Sequence, residues 1–553
     1  MEANMLEQNL VKYFEKSLQD HWDLKAFSNY KGDTLTYSQV ADRIVFLHKF
    51  FAELGIKQQS KIAVIGKNSV NWALTYLATV SYGATIVPIL PDFHASDVHH
   101  IVNHSGSVLL FSEDSKYQDL DICDMKNIKA VLSLKNLSLL EATPNIKKRY
   151  NSAEKSYLDQ YDQKLTPAKI SFPEIDNKEL AALVYTSGTT GFSKGVMILH
   201  NALISNIVYA QANMPLEPKD TIVSFLPIAH VFGCAFEFLF PFCSGCHITF
   251  LDKVPSPRVI IQAFSEIKPR LILSVPLVIE KIYRKQIKPS LQKGAIKTMR
   301  KIPGLRQIIN KQVNKKLSVV FGENFREIVI GGASLNEEVE DFLREIGFRY
   351  TVGYGMTECA PLISYSNWNT FARGSVGRVV DQLEIKIASD NPTTDVGEIM
   401  VRGENVMVGY YQNKEATEAA LTADGWLRTG DLGIIDSGGN IFIRGRSKSM
   451  ILGASGKNIY PEEIEAKLSN LDYVSEALVI ERKGQLVALI YPDYELADKN
   501  KISEKDLEKI MAQNHQDLNK LLPGYMKLHK WEITPTEFEK TPKKSIKRYL
   551  YMH

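Results

Sequence analysis

Between Tyr185 and Gly195 the chain reads YTSGTTGFSKG, directly after the apolar run Ala181 to Val184. Four hydroxyl side chains, Thr186, Ser187, Thr189 and Thr190, sit with Gly188 and Gly191 ahead of Lys194, and Gly195 closes the segment. Glycine lets successive backbone N–H groups converge on an anion, hydroxyls add neutral donors, and a lysine adds charge. A strand that runs into such a loop is a cradle for a polyphosphate. The GxxxxGK[ST] spacing of the P-loop is absent, so this is not the phosphate site of kinases and GTPases.

Other segments could carry chemistry further along. Phe225 to Gly233 (FLPIAHVFG) sets one histidine, His230, in an apolar run. Gly331-Gly332-Ala333 precedes Tyr354 to Glu358 (YGMTE) by about twenty residues. Arg428-Thr429-Gly430-Asp431, Arg444-Gly445-Arg446 and Gly453 to Pro461 (GASGKNIYP) follow in that order. Cys243-Ser-Gly-Cys246 is a CxxC with no second ligand pair at matching spacing, which points to buried structural cysteines rather than zinc.

These residues need a scaffold, and 553 residues at 44% hydrophobic content supply core for two to four domains. A net charge of +3 leaves no nucleic-acid footprint. Five cysteines are a poor basis for a disulfide framework and suit a reducing cytoplasm. The first twelve residues do not read as a secretory signal. Lys61 to Ile65, Ala84 to Ile89, Ser107 to Phe111, Thr221 to Phe225, Leu271 to Val275 and Glu327 to Ile330 read as strands, with a helix over Trp72 to Ser81. Such alternation predicts an α/β fold of parallel-rich sheets flanked by helices. Val231 to Leu251 is interrupted by Glu237, Pro241 and His247, which favours a buried strand–loop–strand or a substrate wall over a spanning helix. Lys285 to Lys316 reads as a basic, helix-prone, solvated insertion, with an anionic membrane or CoA phosphates as the other use of its charge. From Gly397 short strands and Gly-rich turns take over. After Arg446 a compact α+β pattern begins, with a helix opening at Pro461 and another near Ser503 to Leu521.

Taken in order, these motifs resemble those of the adenylate-forming superfamily of acyl-CoA synthetases, peptide-synthetase adenylation domains and beetle luciferases, over roughly residues 25 to 548. The basic insertion, the Gly331-Gly332-Ala333 run and Asn458-Ile459-Tyr460-Pro461 are most similar to bacterial long-chain fatty acid–CoA ligases. The resemblance implies a large N-terminal AMP-binding domain over 1–445 that includes a distorted β-barrel subdomain. A small mobile α+β domain over 446–553 would turn about a hinge near Lys448. It implies that Thr186 to Gly191 and Lys194 hold the β- and γ-phosphates of ATP and that His230 lines the carboxylate pocket. Gly332 and Ala333 would lie along the adenine, with Tyr354 and Gly355 against the base. Thr357 would touch phosphate or acyl oxygens, and Glu358, with Thr186, would hold Mg²⁺. Asp431 and Arg446 would clamp the ribose, and Gly456 would serve the thiol step.

The family's adenylating lysine stands three residues before an arginine. Here Ser545 occupies that place before Arg548. Lys544 takes the role after a one-residue shift, with Lys543 and Lys547 as weaker candidates. The activity implied is ATP-dependent activation of a fatty acid and transfer to CoA, in the cytoplasm or at the inner face of its membrane. An acyl carrier protein is the alternative acceptor, and a catalytically impaired nucleotide-binding relative is the alternative from another class.

Overall fold

A computed structural model describes residues 7–160, 165–186, 193–252, 256–453, 458–541 and 546–552. The centre is an eight-stranded sheet in the order Gly409–Tyr410, Lys194–Leu199, Leu180–Thr186, Thr85–Ile89, Lys61–Ile65, Leu109–Ser112, Ala130–Ser133, Leu139–Ala142. Its inner strands are parallel, while the pairs at both edges are antiparallel. Helices cover it, so central strands such as Lys61–Ile65 (KIAVI) read as continuous apolar runs without alternation. The helix predicted over Trp72 to Ser81 forms as Val70–Ser81, with the Ser69 side chain accepting from the Trp72 N–H.

Three further parallel strands, Thr221–Ser224, His247–Phe250 and Lys25–Asn29, form a second sheet with Thr34–Thr36. Leu271–Ser274, Glu327–Ile330 and Tyr350–Val352 form a parallel third. The barrel expected from the resemblance is an antiparallel layer. Its four-stranded part contains Leu383–Ala388, Gly397–Gly403, Leu427–Ile435 and Ile441–Arg446. Val376 and Gly377 join it to a three-stranded part, Tyr354–Gly355, Leu362–Tyr365 and Arg378–Val379, through backbone hydrogen bonds with Ile441 of 2.8 and 2.9 Å. Among the described residues its ladder stays open.

Of the two readings of Val231 to Leu251, the strand–loop–strand is overturned. The stretch after His230 is helical from Val231 to Cys243, with a π-turn over Cys234–Leu239, before the strand His247–Phe250. Pro241 does not break it because it lies in the first positions of the closing segment Phe240–Cys243, past the widened π-turn. Cys243 and Cys246 are buried as expected, and burial raises both thiols above their ordinary range.

Buried apolar side chains form one large cluster from Leu10 to Ile441 and two small ones from Ile459 to Phe538. The small unit pairs Val474–Arg482, Gln485–Pro492 and Lys530–Ile533 beside the helices Pro461–Leu468 and Glu504–Leu521. It meets the large one closely at Gly445, where an added Cβ would lie 3.1 Å from Glu462 Oε2 and 3.2 Å from Tyr460. Asn336 Nδ2 donates to Ser469 Oγ at 3.1 Å, and Lys285 pairs with Glu495 at 2.9 Å, across the same boundary.

Candidate active site

The phosphate-loop segment is held at both ends. Thr186 is the last residue of Leu180–Thr186, and it pairs antiparallel with Lys194, the first residue of the returning strand. Tyr185 donates to or accepts from His104 Nδ1 at 2.7 Å, and its ring packs against Gly195. Ser187, Gly188, Thr189, Thr190 and Gly191 lie outside the described residues, as do Gly456 and Lys544.

From Lys194 the site continues through a residue that no motif flagged. The Lys194 ammonium lies 5.0 Å from the centroid of the Tyr410 ring. Tyr410 forms the edge strand beside Val196 and donates its hydroxyl to Glu358 Oε1 at 2.8 Å. Glu358 is anchored through its carbonyl by the Met407 N–H at 2.8 Å. Buried asparagines fix the residues after it: Leu362 N–H donates to Asn206 Oδ1 at 3.0 Å, and Asn405 Nδ2 donates to the Leu362 carbonyl at 2.7 Å. Thr357, next to Glu358 in the chain, is buried.

Tyr354, four residues before Glu358, donates its hydroxyl to Asp431 Oδ2 at 2.6 Å, and Arg446 Nε reaches Asp431 Oδ1 at 2.9 Å. Sheet register dictates this meeting, since Asp431 and Arg446 are direct antiparallel partners. Burial raises the Asp431 carboxyl, opposed by the Arg446 charge and the Tyr354 hydrogen bond, with Glu358 adding repulsion. Burial, followed by the Asp431 charge, pushes the Tyr354 phenol well up, so it serves as a donor. The structure therefore brings Tyr354, Glu358, Asp431, Arg446, Lys194 and Thr186 into one connected series.

His230 is half-buried, and its Nδ1 accepts from the Phe232 N–H at 3.3 Å, capping the helix that starts at Val231. The residues on either side of it, Ala229 and Val231, line a small apolar cavity with Val184, Tyr76, Ile198 and Cys234. That cavity therefore reaches from the strand that carries Thr186 to the loop that carries His230. Gly331 approaches the Phe232 ring so closely that a Cβ would be 3.0 Å from it, and Gly332 takes φ +88° in the left-handed region. Gly332 and Ala333 are exposed. Lys448 is exposed in the turn that follows Arg446, where Ser449 and Met450 N–H groups both return to the Arg446 carbonyl.

Two further residues shape the FLPIAHVFG loop without belonging to a motif. Asn68 accepts from Ile228 N–H at 3.0 Å and donates to the Leu226 carbonyl at 2.7 Å. Glu237 Oε2 accepts from both Phe225 and Leu226 N–H at 3.0 Å. In sequence Glu237 reads only as an interruption of an apolar run, and Asn68 lies about 160 residues from the loop it holds.

A sheet strand that runs into a Ser/Thr/Gly-rich segment, a carboxylate linked through Tyr410 to Lys194, and a Tyr–Asp–Arg cluster on an open barrel are the parts of an α/β nucleotide-activating enzyme. Residues 14–411 match the AMP-binding enzyme family, and the chain belongs to that family. It is an AMP-forming acyl ligase, one that makes an acyl-adenylate. A long-chain-fatty-acid–CoA ligase of Mycobacterium bovis is 30% identical over 486 residues, covering 83% of this chain and 78% of the relative. A chloroplastic long-chain-fatty-acid–[acyl-carrier-protein] ligase of Arabidopsis thaliana is 27% identical over 559 residues, covering 88% and 76%. Among solved structures, an O-succinylbenzoate coenzyme A synthetase of Bacillus subtilis, in complex with ATP and magnesium ion, superposes with a TM-score of 0.72. It is 21% identical, with 98% of this chain and 99% of that one covered.

Proposed function

We propose that this ligase activates a long-chain fatty acid and passes it to coenzyme A. The observation that carries the reading is the connected series Lys194–Tyr410–Glu358 and Tyr354–Asp431–Arg446, which gives a nucleotide a phosphate end and a ribose end. The named substrates of the relatives support a long aliphatic acid. A carboxylate repels nucleophiles and has no good leaving group. Attack of its oxygen on the α-phosphorus of ATP breaks the α–β bond and releases pyrophosphate. The protein's tasks are alignment and charge neutralisation.

Lys194, Thr186 and the loop between them hold the β- and γ-phosphates. Asp431 accepts from the ribose hydroxyls, with Arg446 holding that carboxylate ionised. Tyr354 flanks the base beside Gly332, Ala333 and Gly355, and Thr357 and His230 face the reacting oxygens. Glu358 fits Mg²⁺: it is a single carboxylate, oriented by the Tyr410 hydroxyl on one of its oxygens. A hard cation that keeps waters and shares phosphate oxygens suits one such carboxylate with the Thr186 hydroxyl. When bound, the ion supplies neutralising charge at the phosphates. Lys544 bridges the carboxylate and α-phosphate. In the second step a thiol attacks the carbonyl and AMP leaves. The unit over 446–553 turns about Lys448 to bring Gly456 and its neighbours to the thiol.

The test is pyrophosphate exchange into ATP with saturated acids from two to twenty carbons, followed by thioester formation with coenzyme A or with acyl carrier protein. Exchange confined to the longer acids, with coenzyme A as acceptor, is expected. Exchange only with the short acids overturns the substrate, and thioester formed only on the carrier protein overturns the acceptor.

A further inference from the structure

The segment from Pro276 to Val320 holds twelve lysines and arginines against one acid, Glu280, a net +11. The whole chain carries +3, so the remaining residues together are at −8. This concentration of charge is mounted on the helices Lys288–Leu291, Gly294–Met299 and Pro303–Val320. Part of it is structural: Lys288 pairs with Glu338, Arg300 and Arg306 with Glu345, and Lys285 with Glu495. Lys293, Lys297, Lys301, Lys311, Lys315 and Lys316 are exposed, and none takes part in an ion pair among the described residues.

The long helix is fastened by its inner side alone. Leu317 is buried over a small apolar cavity with Phe321 and Phe342. Asn310 donates to Glu345, and Asn314 donates to the Ile346 and Gly347 carbonyls at 2.8 Å. Ile308 and Val319 are eleven positions apart, three turns of helix, so they project from one outward face with Lys311 and Lys315 between them. They are 55% and 45% exposed, and Met299 (43%) and Ile302 (52%) are exposed at the turn that leads into the helix. Apolar side chains clustered in an otherwise basic surface mark an interaction site rather than ordinary surface. Flexible lysines alternating with aliphatic residues match one partner chemistry, an anionic headgroup layer over hydrocarbon. No helix among the described residues is long and apolar enough to cross a membrane, so this face would lie on the bilayer.

We infer that the outward face of Pro303–Val320, with Met299 and Ile302, docks the protein on an anionic lipid surface. The inference is independent of which acid or thiol the enzyme uses. The full chain is sedimented with vesicles of phosphatidylcholine alone, or of phosphatidylcholine with about one-third phosphatidylglycerol, at near-physiological salt. Partition onto the anionic vesicles at least tenfold above the neutral ones is expected. Lys311→Glu with Lys315→Glu lowers it tenfold or more. Ile302→Ser, Ile308→Ser and Val319→Ser together lower it several-fold at unchanged charge. Lys505→Glu, on the small unit, leaves it unchanged. Melting temperatures equal to the parent's report that each variant is folded. The inference falls if the parent does not prefer anionic vesicles, if either folded variant of the face binds as the parent does, or if Lys505→Glu weakens binding equally. It also falls if the face retains an acidic carrier protein but no vesicle.

Discussion

Asp431 is a buried carboxylate whose two oxygens are already committed, one to Tyr354 and one to Arg446. Burial raises its carboxyl, so its charge costs folding free energy and is retained for a ligand's benefit. Asp431→Asn keeps the shape and removes the charge. It should leave the melting temperature unchanged or higher while raising the KM for ATP at least tenfold. Titration calorimetry with ATP checks this, and unaltered affinity would remove Asp431 from the ribose clamp. Tyr354, Asp431 and Arg446 were legible in sequence because each lies in a short motif and the motifs come in a fixed order. Tyr410 was not. Its role comes from an edge strand placed beside Val196 by pairing across more than two hundred residues, which no local spacing encodes. Asn206 and Asn405 escaped for the same reason, since each satisfies backbone groups of Leu362 from a distant element.

At the scale of elements, short apolar strands bounded by turns were read correctly, and the run after His230 was not. An apolar stretch with a glutamate and a proline satisfies strand and helix patterns alike, and the π-turn that accommodates both has no sequence period. Glu237 explains why the acid is there: it ties the helix back to Phe225 and Leu226. Burial holds its carboxyl well above the usual range, opposed by the hydrogen bonds from Leu226 and Phe225. Glu237→Gln should therefore cost under about 1 kcal/mol, whereas Glu237→Ala orphans two buried N–H groups and leaves a cavity, at about 3 kcal/mol or more. Denaturant unfolding measures both, and equal losses would contradict the acceptor role of the Glu237 side chain. The tail is a second case. Arg548 donates to Glu465 through two bonds of 2.8 and 2.9 Å and to the Val479 carbonyl at 2.7 Å, which fastens the chain at Arg548 to the helix Pro461–Leu468 and the strand Val474–Arg482. The pair is about a fifth exposed, so Arg548→Ala should destabilise the small unit by about 2–3 kcal/mol, below the full penalty for a buried ion. Lys544→Ala should leave stability alone. It should abolish adenylation while sparing thioester formation from supplied acyl-adenylate. Equal loss in both steps would reassign the lysine.

For the molecule as a whole, the buried histidines and the buried glutamates respond to acid in opposite senses. His48 and His200 are buried in the large core, and burial lowers each to about 4. Among the described residues neither ring nitrogen of His200 has a hydrogen-bond partner, and the charge of Asp176 only partly offsets the cost of burying its charged form. An unfolded histidine protonates near 6.5, so the unfolded chain takes up protons first and stability is lost as pH falls from 6.5 toward 4. Glu465 in the small unit behaves in the other sense. Burial, opposed by Arg548, raises it to about 6, so stability is gained as pH falls from 6 toward 4.5. Glu237, Glu327 and Glu340 share that sense within the large core, which makes the net profile a difference between opposing groups. A single substitution isolates one of them. At pH 5 a neutral buried histidine costs about 2 kcal/mol relative to pH 7.5, at 1.36 kcal/mol for each pH unit below 6.5. His200→Leu removes that proton. The variant's stability relative to the parent should rise by about 2 kcal/mol between pH 7.5 and pH 5, whatever its offset at pH 7.5. Denaturant titrations at the two pH values give the difference directly, and an offset that does not change with pH would mean that His200 meets water in the folded state.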